Sequence, residues 1–206
     1  MLVNLGLILM LGVVNVGYEA SNREIGTIHS VKAGIDDDVP VLPVFVFPYL
    51  GLYVYTVFTF AYLGVLADHA RLRTMLLGLI GSTLVGLLTF VTFQTYVPPP
   101  SPSDYGPEPL RAMMVYVEEA LYDGNYYSAF PSLHVAYSTV LALAWARIGR
   151  RLLSPALIVL SALVALSTQF LHQHYVLDLY YGIVLGVAAH ATAWWATEWR
   201  PSHRPA

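Results

Sequence analysis

The chain of 206 residues has no cysteine, which excludes disulfides and thiolate metal sites. Charge is also scarce. Only 11% of residues are Asp, Glu, Lys or Arg, against about 25% in an ordinary soluble domain. Long stretches carry no charge at all, and the remaining charges cluster in short segments. A bilayer sorts residues in this way, because a charge in hydrocarbon is costly. The net charge of −3 gives no sign of a nucleic-acid partner. No internal repeat and no low-complexity tract interrupts the chain, and its length suits one membrane-embedded domain over residues 1–206.

What fills the chain instead is apolar: 57% of residues are hydrophobic. Six apolar segments stand out, at 1–17, 41–66, 74–97, 131–147, 154–171 and 175–197. Most approach the roughly 20 residues that a spanning helix needs. The expected fold is therefore all-α, a bundle of six transmembrane helices. Residues 1–17 have no positive leading region and no small-residue cleavage site, so they read as a first span rather than a signal peptide.

Lys and Arg set the orientation. With the N-terminus inside, segments 67–73, 147–153 and 198–206 are cytoplasmic. They hold Arg71, Arg73, Arg147, Arg150, Arg151, Arg200 and Arg204, seven of the ten Lys and Arg. The outer segments 18–40 and 98–130 keep only Arg23, Lys32 and Arg111. Ten acids lie there: Glu19, Glu24, Asp36, Asp37, Asp38, Asp104, Glu108, Glu118, Glu119 and Asp123. Both termini are expected to be cytoplasmic.

The second outer segment has two parts. Residues 98–109 (PPPSPSDYGPEP) are too rich in proline for a regular helix. Beyond them, Leu110, Met113, Met114, Val117 and Leu121 recur at helical spacing, with Glu118, Glu119 and Asp123 largely opposite. That pattern predicts an amphipathic helix over about 108–122, lying on the membrane surface or packed over the bundle. Tyr126, Tyr127 and Tyr175 sit near span ends, where aromatic belts form.

Two motifs place polar groups at the outer ends of spans. FPSLH at 130–134 opens the fourth span. Pro131 suits a first helical turn, which puts Ser132 and His134 where free N–H groups and the helix dipole attract an anion. HQHYVLD at 172–178 opens the sixth. His174 and Asp178 are four residues apart and so share one helix face. A carboxylate there can fix the imidazole tautomer and leave the other ring nitrogen free to attack or to accept a proton. Asp178 lies in an apolar segment and needs a partner, for which His174 is the obvious residue. A phosphoryl-transfer site explains the most residues. A metal site of His134, His172, His174 and Asp178, or a proton relay in a small transporter, remains open.

At these residues the chain resembles the type 2 phosphatidic acid phosphatase superfamily. FPSLH is similar to its second signature, commonly PSGH. Ser167 through Asp178 is similar to the third, SRxxxxxHxxxD, with Ser167, His174 and Asp178 in register. FPSLH, the run from His174-Tyr175 through Asp178 to Gly182, the prolines after the third span, and Ile35-Asp36 through Pro43 resemble the branch containing inositol phosphorylceramide synthase.

The resemblance implies a lipid phosphatase or phosphotransferase with its site at the extracytoplasmic face, acting on a lipid phosphate without metal or other cofactor. It makes His174 the nucleophile, Asp178 its orienting carboxylate, and His134 the acid and then the base. Ser132 and Ser167 fall to the phosphate pocket. The first signature, KxxxxxxRP, is absent, and the arginine of the third is Thr168. Candidates to replace those cations are His172, where relatives often carry Lys, and Arg111, Arg23 and Lys32.

Overall fold

The computed structural model describes residues 2–66, 68–121 and 126–199. Arg200, Arg204, Asp123 and the end of the outer amphipathic stretch lie outside them. Seven α-helices are described: α1 (Leu2–Ser21), α2 (Val46–Val65), α3 (His69–Thr92), α4 (Leu110–Val115), α5 (Leu133–Ile148), α6 (Leu153–Phe170) and α7 (Val176–Thr197). Among the described residues the extended backbone forms only isolated bridges and no strand.

Five helices, α1, α2, α3, α6 and α7, are long and apolar enough to cross a bilayer. The fourth expected span, 131–147, corresponds to α5, which has 16 residues and rises only about 24 Å, short of a hydrocarbon core of about 30 Å. Its surroundings explain this. α5 packs against α2, α3, α6 and α7, and Val135, Ala136, Val140, Leu141 and Trp145 are buried among them. A helix walled by protein needs neither the length nor the uniform hydropathy of one that faces lipid.

α3 also departs from its expected bounds of 74–97. It begins earlier, where Asp68 caps it by accepting a hydrogen bond from the Arg71 N–H. It stops at Thr92 because the following residues pair in extended form. Thr95 bridges His29 on one side and Ser128 on the other. The Thr95 hydroxyl accepts from the Phe130 N–H at 3.0 Å, and Val97 N–H donates to the Tyr126 carbonyl at 3.3 Å. The exit of α3 thus anchors the approach to α5.

Buried hydroxyls pair across the bundle, as polar groups must in an apolar medium. Tyr137 of α5 meets Thr83 of α3 at 2.6 Å and Asn15 of α1 at 3.2 Å. Trp145 donates to Thr59 of α2 at 3.0 Å. At the opposite end from the two motifs, Arg147 forms a forked pair with Glu198, and Glu198 also accepts from Thr74. That cluster ties α5, α7 and α3 together.

The tightest backbone approach is between α5 and α7. A Cβ on Gly182 would stand 2.7 Å from the Ser132 carbonyl oxygen and 2.8 Å from Val135 Cβ; one on Gly186 would stand 2.6 Å from the Ala136 carbonyl oxygen. Backbone cannot yield as a flexible side chain does, so the G-x-x-x-G pair is an intramolecular seam. Gly182→Ala is expected to cost about 1–3 kcal/mol through overpacking and to lower the melting temperature in detergent. Gly81→Ala, whose added methyl meets only Ala189 Cβ at 3.9 Å, serves as control. Equal melting temperatures for the two variants would show that the seam is not tight.

Candidate functional site

Where α5 and α7 touch, the two motifs meet. Ser132 is the N-cap of α5: its hydroxyl accepts from the Val135 N–H at 3.3 Å, and Pro131 falls just outside the helix. Ser132 N–H donates to the Asp178 carbonyl at 3.2 Å, so one backbone bond crosses from FPSLH to the start of α7. His134 follows in the first turn of α5. Its ring stacks on Tyr49 of α2 at 4.6 Å and lies 6.3 Å from the His174 ring, centre to centre.

His174 sits in the turn between α6 and α7. Thr168, where the family signature has arginine, holds this turn by its carbonyl, which accepts from Gln173 N–H at 3.0 Å and His174 N–H at 3.2 Å. His174 Nδ1 is 3.4 Å from Asp178 Oδ2. Asp178 is fully buried, and its Oδ2 also accepts from the Tyr175 N–H at 2.8 Å. His174 Nδ1 and Asp178 Oδ1 make no hydrogen bond among the described residues. The pair is therefore juxtaposed with bonding capacity in reserve, and a small rotation of the imidazole would close it.

The first outer segment folds over the same turn. Asp36 Oδ1 accepts from the Val176 N–H at 2.7 Å and its other oxygen from the Ala33 N–H at 2.6 Å, so Asp36 satisfies the first orphan donor of α7. Leu42 N–H donates to the Phe170 carbonyl at 2.8 Å. His172, with φ at 53°, points Nε2 at the Val39 carbonyl, 2.8 Å away. His172 therefore braces the outer segment and is not brought to His174.

The other sequence candidates divide. Ser132, His134, His174 and Asp178 come together. Ser167 is fully buried on α6 and donates to the Val164 carbonyl at 2.6 Å. Arg111 is exposed on α4, with no side-chain hydrogen bond or ion pair among the described residues. Lys32 pairs with Asp37, which holds its ammonium above the usual lysine pKa. Arg23 is exposed; its N–H donates to the Ser21 carbonyl at 2.8 Å and its carbonyl accepts from Gln94 at 2.7 Å, and its guanidinium makes no hydrogen bond or ion pair among the described residues. Among the described residues no set of three His, Asp or Glu side chains converges as metal ligands.

Two cavities adjoin the histidines. A small one of about 20 Å³ beside His174 is walled by Tyr18, Asn22, Tyr126, Ser128 and Gln173, all neutral donors. A larger one of about 480 Å³ lies among α1, α2 and α5 and reaches His134 past Leu11, Leu52, Val57 and Phe60. Sequence reasoning missed Asp36, Tyr49 and Gln173 as site builders. Tyr49 carries no signal within an apolar span, and Gln173 none beyond its place before His174. Asp36 was visible as one acid in a run of three and as part of the branch-like segment Ile35-Asp36 through Pro43, but with no role attached.

Asp36→Ala is expected to cost about 1–3 kcal/mol by stranding the Val176 N–H, and to speed amide exchange at residues 173–178. Asp36→Asn keeps an acceptor and should lose less. Unchanged exchange in the alanine variant would mean that Asp36 does not hold the turn.

Residues 23–192 match a family described as the PAP2 superfamily, a stretch that includes both histidine motifs and the segment carrying Asp36. No curated protein and no solved structure matches the chain. The family is one of phosphatases and phosphotransferases, and its match agrees with a multi-pass, all-α membrane protein. From the first outer segment to the last turns of α7, the chain belongs to the PAP2 superfamily.

Proposed function

We propose that the chain is a lipid phosphotransferase working through a phosphohistidine on His174 at the extracytoplasmic face. The observation that carries this reading is the set of three side chains at the α5–α7 seam: His174 Nδ1 3.4 Å from buried Asp178, with the His134 ring 6.3 Å away. Nδ1 faces the carboxylate, which leaves Nε2 to react.

In the first step His174 Nε2 attacks phosphorus and the bond to the leaving oxygen breaks. His134 gives that oxygen a proton, and Asp178 accepts a hydrogen bond from Nδ1–H as the ring becomes cationic. In the second step an acceptor hydroxyl gives its proton to His134 and attacks phosphorus. The phosphorus–nitrogen bond breaks, and His174 returns to its starting state. Water as acceptor gives a phosphatase, and a lipid or polyol hydroxyl gives a transferase. In this reading Ser132 holds a phosphate oxygen through its hydroxyl hydrogen, since its own N–H and the Val135 N–H are already engaged.

The cavities support a lipid. The apolar space of about 480 Å³ lies on the His134 side, where the leaving alcohol would sit, and its size is typical of ligand pockets. Transferase chemistry draws support from the wall beside His174. Tyr18, Asn22, Ser128 and Gln173 carry donors without supplying charge, while the Tyr126 hydroxyl is committed to Glu118. A phosphodiester monoanion is easier to hold with such donors than a phosphomonoester dianion. The branch resemblance to inositol phosphorylceramide synthase points the same way. The outer face follows from charge: the site lies at the end of the bundle formed by the acid-rich segments, and Arg71, Arg73, Arg147, Arg150 and Arg151 lie at the other.

The test is a panel of phospholipids incubated with the purified protein, read for both free phosphate and new phosphodiester. New phosphodiester is expected. His174→Ala should abolish turnover and remove an acid-labile, alkali-stable label from the protein, and His134→Ala should slow turnover by about 10²–10⁴-fold. EDTA should leave the rate unchanged. A folded His174→Ala protein that still turned over lipid would rule His174 out as nucleophile.

A further inference from the structure

Helical spacing sets Glu118 on the polar face of the outer helix, yet it is only 5% exposed. The backbone explains the difference. After α4, residues Tyr116–Leu121 form a π-helical turn. Its i→i+5 hydrogen bonding widens the turn and shifts the register of the side chains along it. Val117 and Glu118 both face inward, and Glu119 stays in solvent. Single π turns of this kind often mark functional sites, because they re-aim a side chain that a regular helix would point elsewhere.

A carboxylate so buried needs strong partners. Glu118 Oε1 accepts from the Gln173 carboxamide N–H at 2.8 Å, and Oε2 accepts from the Tyr126 hydroxyl. Both donors wall the cavity beside His174. Gln173 is itself 3% exposed and immediately precedes His174 in the turn that Thr168 holds. We propose that Glu118 is a positioning residue of the phosphoryl-transfer site, its carboxylate fixing Gln173 and Tyr126 on the wall of the His174 pocket. The inference rests on the reading of His174 as the nucleophile.

Several groups face Glu118 from the elements packed around it. They are Tyr105 from the 3-10 turn at Pro102–Tyr105, Tyr126 from the approach to α5, and Gln173 from the α6–α7 turn, while Tyr49 and His174 stand across the small cavity that Tyr126 and Gln173 wall. Glu119 is its neighbour on the helix. These groups include no Lys or Arg. Burial pushes the Glu118 carboxyl up to about 7, against the pull of the Gln173 hydrogen bond.

The two consequences have opposite signs. The ionised form accepts both hydrogen bonds, so activity gains from Glu118 as pH rises through about 7. Folding stability behaves oppositely. A carboxyl raised in the folded state binds its proton more tightly there than in the unfolded chain. Its contribution is full below the ordinary carboxyl range and is lost as pH rises through about 7.

Glu118→Gln separates positioning from mere structure. Turnover of bis(p-nitrophenyl) phosphate is measured from pH 5.5 to 8.5 for the full-length parent, Glu118→Gln and His174→Ala, alongside melting temperatures in detergent. At pH 8 the glutamine variant is expected to melt no lower than the parent yet to lose about fivefold in kcat/KM, the kinetic equivalent of one ordinary hydrogen bond. Its rise through pH 7 should flatten. Any dependence arising from the histidines is common to parent and variant and cancels in their ratio. Full activity with an unchanged pH profile would overturn the inference, as would a loss of activity matched by a lower melting temperature. A parent no faster than His174→Ala would overturn the phosphoryl-transfer reading as well, and the inference with it.

Discussion

Because Gly182 has no Cβ, the backbones of α5 and α7 can touch, and the candidate site depends on that contact. The Ser132 carbonyl occupies the space a side chain would need, and the Ser132 N–H reaches the Asp178 carbonyl at 3.2 Å. That bond joins residues far apart in sequence, so no local preference produces it. It needs a glycine at one position, repeated one turn later at Gly186. The same seam accounts for the character of α5. A helix gripped by α7 on one side and enclosed by α2, α3 and α6 on others is short and rich in small residues. It sits within the bundle, with little need to present hydrocarbon to lipid.

The outer segments then complete what the seam begins. Each brings a carboxylate to one small region: Asp36 on the Val176 N–H, and Glu118 on Gln173 and Tyr126, close to Asp178 beside His174. Among the described residues none of the three pairs with Lys or Arg; each is held by backbone N–H, carboxamide or phenol donors. A carboxylate can be buried on such terms because several hydrogen bonds replace its hydration. The acids that orient the chain in the membrane are therefore of two kinds. Some, such as Asp37 and Glu119, remain in solvent, and others turn inward to build the walls.

Much of this was legible in the sequence and some was not. The i, i+4 spacing of His174 and Asp178, and the cost of an acid at the head of an apolar segment, placed those two side chains together, as the fold does at 3.4 Å. The apolar runs marked the long helices. The spacing argument failed where the backbone left the regular 3.6-residue period. The π turn hid the burial of Glu118, the extended pairing of Thr95 ended α3 early, and the left-handed φ of His172 turned that ring to the Val39 carbonyl. Each of these is decided by a partner distant in sequence, which composition and periodicity do not register.

The absence of the signature cations has a physical consequence for what the pocket can hold. The phosphate would arrive in front of two buried carboxylates, Asp178 beside His174 and Glu118 behind Gln173 and Tyr126, with Asp36 on the first residue of α7. A dianion would add repulsion from each of them, and in a medium of low dielectric such repulsion is weakly screened. A monoanion would halve that cost. Neutral donors such as Asn22 and Gln173 would then supply direction without charge. On the proposed reading, a family site rebuilt in this way would discriminate by the charge of the phosphate before the shape of the lipid. On that reading, the buried carboxylate at Glu118 would strengthen the discrimination as it ionises.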